Sequence, residues 1–234
     1  SEQVEIHRKA ALPRAAEIDH GQASLERGLK GYRKDTLGAD AWKASELRSL
    51  PQICKFPIAR SLKSCLNKIA WAHQNLTNLN AFLGKPNGVR TITKSPMTYR
   101  IVMRALEAAR DWESANTRSY DSASKGTSAL KAALTRNVVS EIASSLGMHS
   151  ATIFHDYEKF FDTIDVPTLL SESILTSFPL DIMAIAIQQH LAPRILTAAV
   201  FISKVFNVYV SILAGCCLSL AMTKTLLMQS MEKI

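Results

Sequence analysis

Ile153-Phe154-His155-Asp156-Tyr157-Glu158-Lys159-Phe160-Phe161-Asp162-Thr163-Ile164-Asp165 is the stretch on which the reading of this chain turns. Its left flank, Ala151 to Phe154, is short, apolar and partly β-branched, and Gly147-Met148-His149-Ser150 bounds it. Such a run predicts a buried strand, with Asp156 at or just past its end, where a carboxylate can reach a cleft. Asp165-Val166-Pro167 predicts a helix start, with the aspartate as N-cap and proline in the first turn. A helical pattern competes. Tyr157, Phe160, Phe161 and Ile164 fall at i, i+3, i+4 and i+7, with Glu158, Lys159, Asp162 and Asp165 on the other side. Periodicity alone leaves both open.

The residues from Asp156 to Asp165 resemble the first carboxylate motif of reverse transcriptases, especially the group II intron and retroelement type. Members carry an aspartate, variable residues, a Phe/Tyr-Phe pair and then Asp-x-Ile/Val-Asp. The resemblance implies that Asp156 is a catalytic metal ligand and that the backbone carbonyl of Tyr157 assists it. It also implies that Phe161 is the aromatic set against the sugar's 2′ position, selecting deoxyribonucleotides; simple core packing beside Phe160 is the alternative.

Two further stretches extend the likeness. In Gly84-Lys85-Pro86-Asn87-Gly88-Val89-Arg90-Thr91-Ile92-Thr93, Asn87-Gly88 is a hairpin turn signal and Val89 to Thr93 alternates like a strand. This resembles the fingers hairpin of the same family, which implies that Lys85 and Arg90 grip the incoming triphosphate. Arginine suits that task because its planar fork binds phosphate oxygens bidentately. Thr91 stands where the family usually has proline. Ala214-Gly215-Cys216-Cys217-Leu218-Ser219-Leu220 is similar to the family's Gln-Gly-Cys-Pro-Leu-Ser-Pro, a glycine turn that opens a helix beneath the nascent base pair. Gly215, Cys216, Leu218 and Ser219 match, while Ala214, Cys217 and Leu220 depart. Arg100-Ile101-Val102-Met103-Arg104-Ala105 through Trp112-Glu113 also looks like the divergent, dinoflagellate-type members.

Charge points to a polyanionic partner. The chain has 234 residues and a net charge of +8, and the sixty residues between Glu46 and Glu107 hold no acid but ten bases. A field of that kind favours nucleic acid and salt-dependent binding. Cys54, Cys65, Cys216 and Cys217 form no Cys-x-x-Cys knuckle, so a zinc site is not expected. Adjacent Cys216 and Cys217 are poor disulfide partners, which favours a reducing, intracellular setting. Lys125-Gly126-Thr127-Ser128 lacks the upstream glycines and strand of a phosphate loop.

Elsewhere the patterns predict charged helices over 1–50, broken at Gly28, Gly31 and Gly38, and a helix over 58–83 with Trp71 in the core. One long helix is expected from Tyr99 to Trp112, and an amphipathic one from Ser128 to Leu146 capped by Gly147. Two more, Val166–Phe178 and Leu180–Leu191, are split by Pro179. Strands are expected within 195–210, joined near Ser203-Lys204. Val205 to Thr223 carries no charge, which keeps a membrane-associated helical protein as a rival.

The fold expected is α+β: right-hand polymerase fingers and partial palm, helix-rich with short antiparallel strands. It divides into a helical extension (1–50), a basic fingers-like region (51–150) and a partial palm (151–234). The resemblance implies two-metal nucleotidyl transfer with Mg²⁺ or Mn²⁺, acting on an RNA template, a nucleic-acid primer and deoxynucleoside triphosphates, with no membrane partner. The family's Tyr-x-Asp-Asp is not found after Ile164, so the chain reads as an inactive piece of that enzyme, or as a polymerase-like RNA-binding module without catalysis.

Overall fold

The computed structural model describes residues 2–17, 22–32, 35–86, 88–118, 120–124, 126–152, 157–198 and 200–232. In chain order they form helices α1 (Glu2–Glu17), α2 (Gln22–Lys30), α3 (Ala44–Ser49) and α4 (Gln52–Lys68), then strands β1 (Asn78–Lys85) and β2 (Gly88–Lys94). Helices α5 (Met97–Ala105), α6 (Glu107–Ala115), α7 (Ala129–Ser145), α8 (Val166–Leu175) and α9 (Leu180–His190) follow, then β3 (Arg194–Ala198), β4 (Phe201–Ile202) and α10 (Ser219–Met231). The fold is α+β. Its sheet runs β2-β1-β3-β4, antiparallel at both outer pairs and parallel where β1 meets β3.

Helix α9 is the hub. Ile182, Met183, Ala184, Ile185, Ala186 and Ile187 are all buried, so the helix is apolar all round and needs neighbours on every side. Helix α1 crosses it, burying Ala11 and Ala15, and α5 adds Ile101 and Met103 to the same core. The N-terminal helices are therefore integral to this core. Gly28 does not break α2; a Cβ there would collide with the carbonyl oxygen of Ile101, so glycine lets α2 lie close on α5. Trp71 is core, as its sequence context suggests. Its indole N–H donates to the Ile185 carbonyl at 2.9 Å, and its ring meets Tyr99 edge-on at 5.6 Å.

Several local expectations hold. The Asn87-Gly88 hairpin is present, with Lys85 opposite Gly88 and Leu79 opposite Lys94; Asn87 itself lies outside the described residues. Asp165 caps α8, accepting from the Thr168 N–H at 3.0 Å and from its hydroxyl at 2.6 Å. Asp165→Ala should lower stability by about 1 kcal/mol, the usual loss for such a cap, measured as a urea midpoint shift at constant slope.

Others are corrected. The helix expected over 58–83 stops at Lys68. Ile69 takes a left-handed conformation (φ 46°), and the Ala70 N–H closes the end on the Cys65 carbonyl at 2.9 Å. Residues 78–85 instead become a strand between two others, because pairing on both sides outweighs local helical spacing, which Asn75, Asn78 and Asn80 already weaken. The single helix expected from Tyr99 to Trp112 breaks at Leu106 (φ −75°, ψ 104°), which turns α6 so that Trp112 donates to the Thr176 carbonyl at 2.9 Å. The strands are not all antiparallel, and the β3–β4 connection falls before Phe201 rather than at Ser203-Lys204. There the Ser203 hydroxyl accepts from the Leu196 N–H at 2.9 Å, so a side chain takes a ladder position and pairing ends; beyond it only Phe206 bridges back, to Arg194.

The helix expected over 128–146 forms as α7, with Ser128 as N-cap and Gly147 (φ 69°) closing its end. It does not pack, however, and Leu130, Leu134, Val138 and Ile142 are exposed. No helix of the described residues is long and apolar enough to cross a membrane. The charge-free run from Val205 is irregular until α10 begins at Ser219.

Candidate nucleotide cleft

Residues 153–156 lie outside the described residues, so the expected strand end and Asp156 have no described position. From Tyr157 onward the chain is not the alternative amphipathic helix. Lys159 is left-handed (φ 49°), and Phe160–Asp162 makes a single 3₁₀ turn. Tyr157 is exposed, whereas Ile164 is buried. The Phe161 carbonyl accepts from the Ile212 N–H at 2.9 Å, and the Ile164 carbonyl from the Ser211 N–H at 3.0 Å. These bonds tie the segment directly to the run leading into Gly215.

A cleft of about 440 Å³ opens where four parts of the chain meet. The segment after α2 gives Tyr32, Thr36 and Leu37, the end of β2 and its exit give Ile92 to Ser95, α5 gives Tyr99, Arg100 and Arg104, and the turn before α10 gives Leu213 to Cys217. The volume is typical of a small-molecule site. Three cations, Lys94, Arg100 and Arg104, face it, and among the described residues none that lines it is acidic.

Helix α5 is aimed by a cap from far away in sequence. Pro96 at its N-cap has no side-chain acceptor to offer, so Asp40 supplies one. The Asp40 carboxylate accepts from the Met97 N–H at 2.9 Å and from the Thr98 N–H and hydroxyl, each at 3.1 Å. One turn apart on this fixed helix, Arg100 and Arg104 lie over the Tyr32 ring, at 5.2 and 4.5 Å from its centroid. Arg100 donates to the Tyr32 hydroxyl at 3.1 Å and to the Thr36 hydroxyl at 2.8 Å, and Arg104 donates to the Gly31 carbonyl at 2.8 Å. These partners are neutral, so the guanidinium charges are positioned without being cancelled. Burial pushes the Tyr32 hydroxyl pKa up, opposed by the two arginines, which keeps the ring neutral beneath them.

On the opposite wall, Gly215 takes φ 89°, a left-handed turn that glycine adopts without strain, and it leaves the backbone bare towards the cleft. Behind it His190, fully buried at the end of α9, accepts the Leu213 N–H at Nδ1 (2.9 Å) and so anchors the turn. The Ser219 hydroxyl donates to the Leu213 carbonyl at 2.6 Å. Arg194 is also buried, donating to the Ser211 hydroxyl at 2.7 Å; desolvation lowers its pKa, with Asp162 opposing.

The structure thus brings the hairpin and Gly215 together, but through other residues than those expected. Lys85 is exposed at the hairpin's tip, about 20 Å along the strand from Lys94 at the rate a strand rises. Arg90 pairs with Leu83, and its backbone too precedes the cleft-lining part of β2. Phe161 lines a different cleft, of about 370 Å³, with Phe160, Leu220 and Met228. Among the described residues no three Asp, Glu, His or Cys side chains converge as a metal site would need. Sequence reasoning did not single out Lys94, Arg100, Arg104 and Tyr32. Arg100 and Arg104, at helical spacing after a basic hairpin, were the available signal; Tyr32 left none.

No protein-family model matches the chain, and no curated protein matches it.

Proposed function

We propose that the chain forms the fingers and first part of the palm of an RNA-directed DNA polymerase, and that the cleft beside Gly215 receives the triphosphate of a deoxynucleoside triphosphate. The observation that carries this reading is convergence. Two stretches more than a hundred residues apart that resemble reverse-transcriptase motifs, the hairpin with its exit at 84–100 and the turn at 214–220, line one cleft whose described residues include three cations and no acid. Phosphate oxygens would meet the Arg100 and Arg104 forks, Lys94 would add a point charge, and the open Gly215 backbone leaves room for the nucleoside. The surrounding basic segment would hold the RNA template and primer by their phosphates.

In the family that the chain resembles, Mg²⁺ or Mn²⁺ activates the primer hydroxyl and stabilises the leaving pyrophosphate. Such a site would be built around Asp156, with Tyr157 beside it, and the role of the described cleft is binding and orientation. A fluorescent deoxynucleoside triphosphate titrated into the protein should bind saturably, be displaced by inorganic tripolyphosphate, and weaken as salt is raised. Binding that tripolyphosphate does not displace, or that ignores salt, overturns the assignment.

A further inference from the structure

A second cleft, of about 370 Å³, lies between the Phe160–Asp162 turn, α10 and the loop that follows α6. Among the described residues none lines both this cleft and the one beside Gly215. Its floor is apolar, with Phe160 and Phe161 from the turn and Leu220, Leu227, Met228 and Met231 from α10. Those four recur at i, i+7, i+8 and i+11, so they share one face of the helix. Both walls are braced. The Ile212 N–H holds the turn through the Phe161 carbonyl at 2.9 Å. Ion pairs tie α6 and its loop to α10 and its C-cap. The Lys224 ammonium lies 3.0 Å from the Glu113 carboxylate and 2.7 Å from that of Asp121, and the Arg118 guanidinium lies 2.9 Å from that of Glu232. Closing the gap over its apolar floor would break these ties, so the space is kept rather than collapsed.

We propose that this second cleft is a binding site for one uncharged aromatic small molecule of about two to three rings, a size that suits a cavity of this volume. The floor selects for aromatic character. Phe160 and Phe161 present their rings 5.6 Å apart between centroids and tilted by 60°, an arrangement that offers both a face and an edge to a third ring. Met228 and Met231 add flexible, polarizable thioethers, which pack well against ring edges.

The rim selects against charge. Each of its cations, Lys224 and Arg118, already faces a carboxylate, and the Asp121 carboxylate also accepts the Ala123 N–H at 2.9 Å. Among the described lining residues no charge is therefore left over to replace the water that an ionised ligand would lose. The contrast with the cleft beside Gly215 is direct, since there the arginines rest on neutral partners and keep their charge for a ligand. The site stands on its own geometry, whatever that other cleft binds.

The test titrates the whole protein with two dyes that brighten in apolar surroundings. Phenylnaphthylamine is uncharged, and anilinonaphthalene sulfonate is the same ring system with one sulfonate added. The amine should bind saturably, at one equivalent, and at least about tenfold more tightly than the sulfonate. The chain's net charge of +8 would by itself favour the anion, so that order reports on the site. Leu227→Trp, which fills the floor, should weaken the amine at least about tenfold, whereas Leu134→Asp on the exposed face of α7 should leave it unchanged. A sulfonate that binds as tightly as the amine overturns the proposal, as does amine uptake that never saturates; both are read on the wild-type protein. Weakening by Leu134→Asp would place the dye on α7 and overturn it too. So would a Leu227→Trp protein that unfolds at the wild-type temperature and still binds the amine as wild type does.

Discussion

Replacing Arg100 and Arg104 together by glutamine is expected to reduce triphosphate binding by at least about a hundredfold. Each charge-assisted hydrogen bond contributes about 1.5–3 kcal/mol, so losing two removes roughly 3 kcal/mol or more. Both side chains also rest on Tyr32, so their removal could loosen that contact. Thermal unfolding of the same variant separates the two effects, because a folded protein that no longer binds isolates the loss of charge. Arg100→Lys gives a finer measure. It keeps the charge but not the fork, and should fall between wild type and the double variant. A folded double variant that binds within a few-fold of wild type would refute the phosphate role of the cleft, and with it the convergence argument.

The second large effect is on stability. Phe178→Ala should lower the free energy of unfolding by about 3–5 kcal/mol, the range for a large buried aromatic. Phe178 is 1% exposed, and its ring meets Trp112 edge-on at 5.0 Å. It also closes α8. The Phe178 N–H donates to the Ser173 carbonyl at 2.8 Å and the Ser177 N–H to the Ile174 carbonyl at 3.1 Å, with Ser177 left-handed at φ 55°. The backbone bonds survive the substitution, so the loss reports on side-chain packing alone. Urea unfolding followed by Trp fluorescence reads it, and a change under about 1 kcal/mol would mean that the ring is not in the core.

What was legible in the sequence was local. The Asn87-Gly88 turn, the Asp165 cap, Pro179 between two helices and Gly147 at a helix end each act through their own backbone or the next few residues. What was not legible depends on partners far along the chain. Residues 78–83 read as helix because nothing nearby says that a strand from 194 will pair with them. Arg104 is one base among ten until a tyrosine about seventy residues earlier is found beneath it. Helix α7 shows the reverse error, since its apolar residues predicted burial and the fold leaves them exposed. The candidate site follows the same division, its motifs readable and its convergence not. The expectations for Asp156 rest on the resemblance.

The parallel pairing of β1 with β3 also fixes an order of events during synthesis. The β1–β2 hairpin needs only adjacent residues and can close once Lys94 has emerged from the ribosome. Its other edge then waits for more than a hundred further residues, until Arg194 to Thr197 arrive and the Asn78 side-chain amide can donate to the Gln189 carbonyl at 2.8 Å. At roughly 5–20 residues per second on the ribosome, that interval is several seconds to about twenty, far longer than a hairpin takes to form. Through that time an unpaired strand edge with Phe82 and Leu83 beside it stays open to other chains. The nascent protein is thus most exposed to misassociation until Arg194 to Thr197 have been made, and most in need of chaperone cover through that interval.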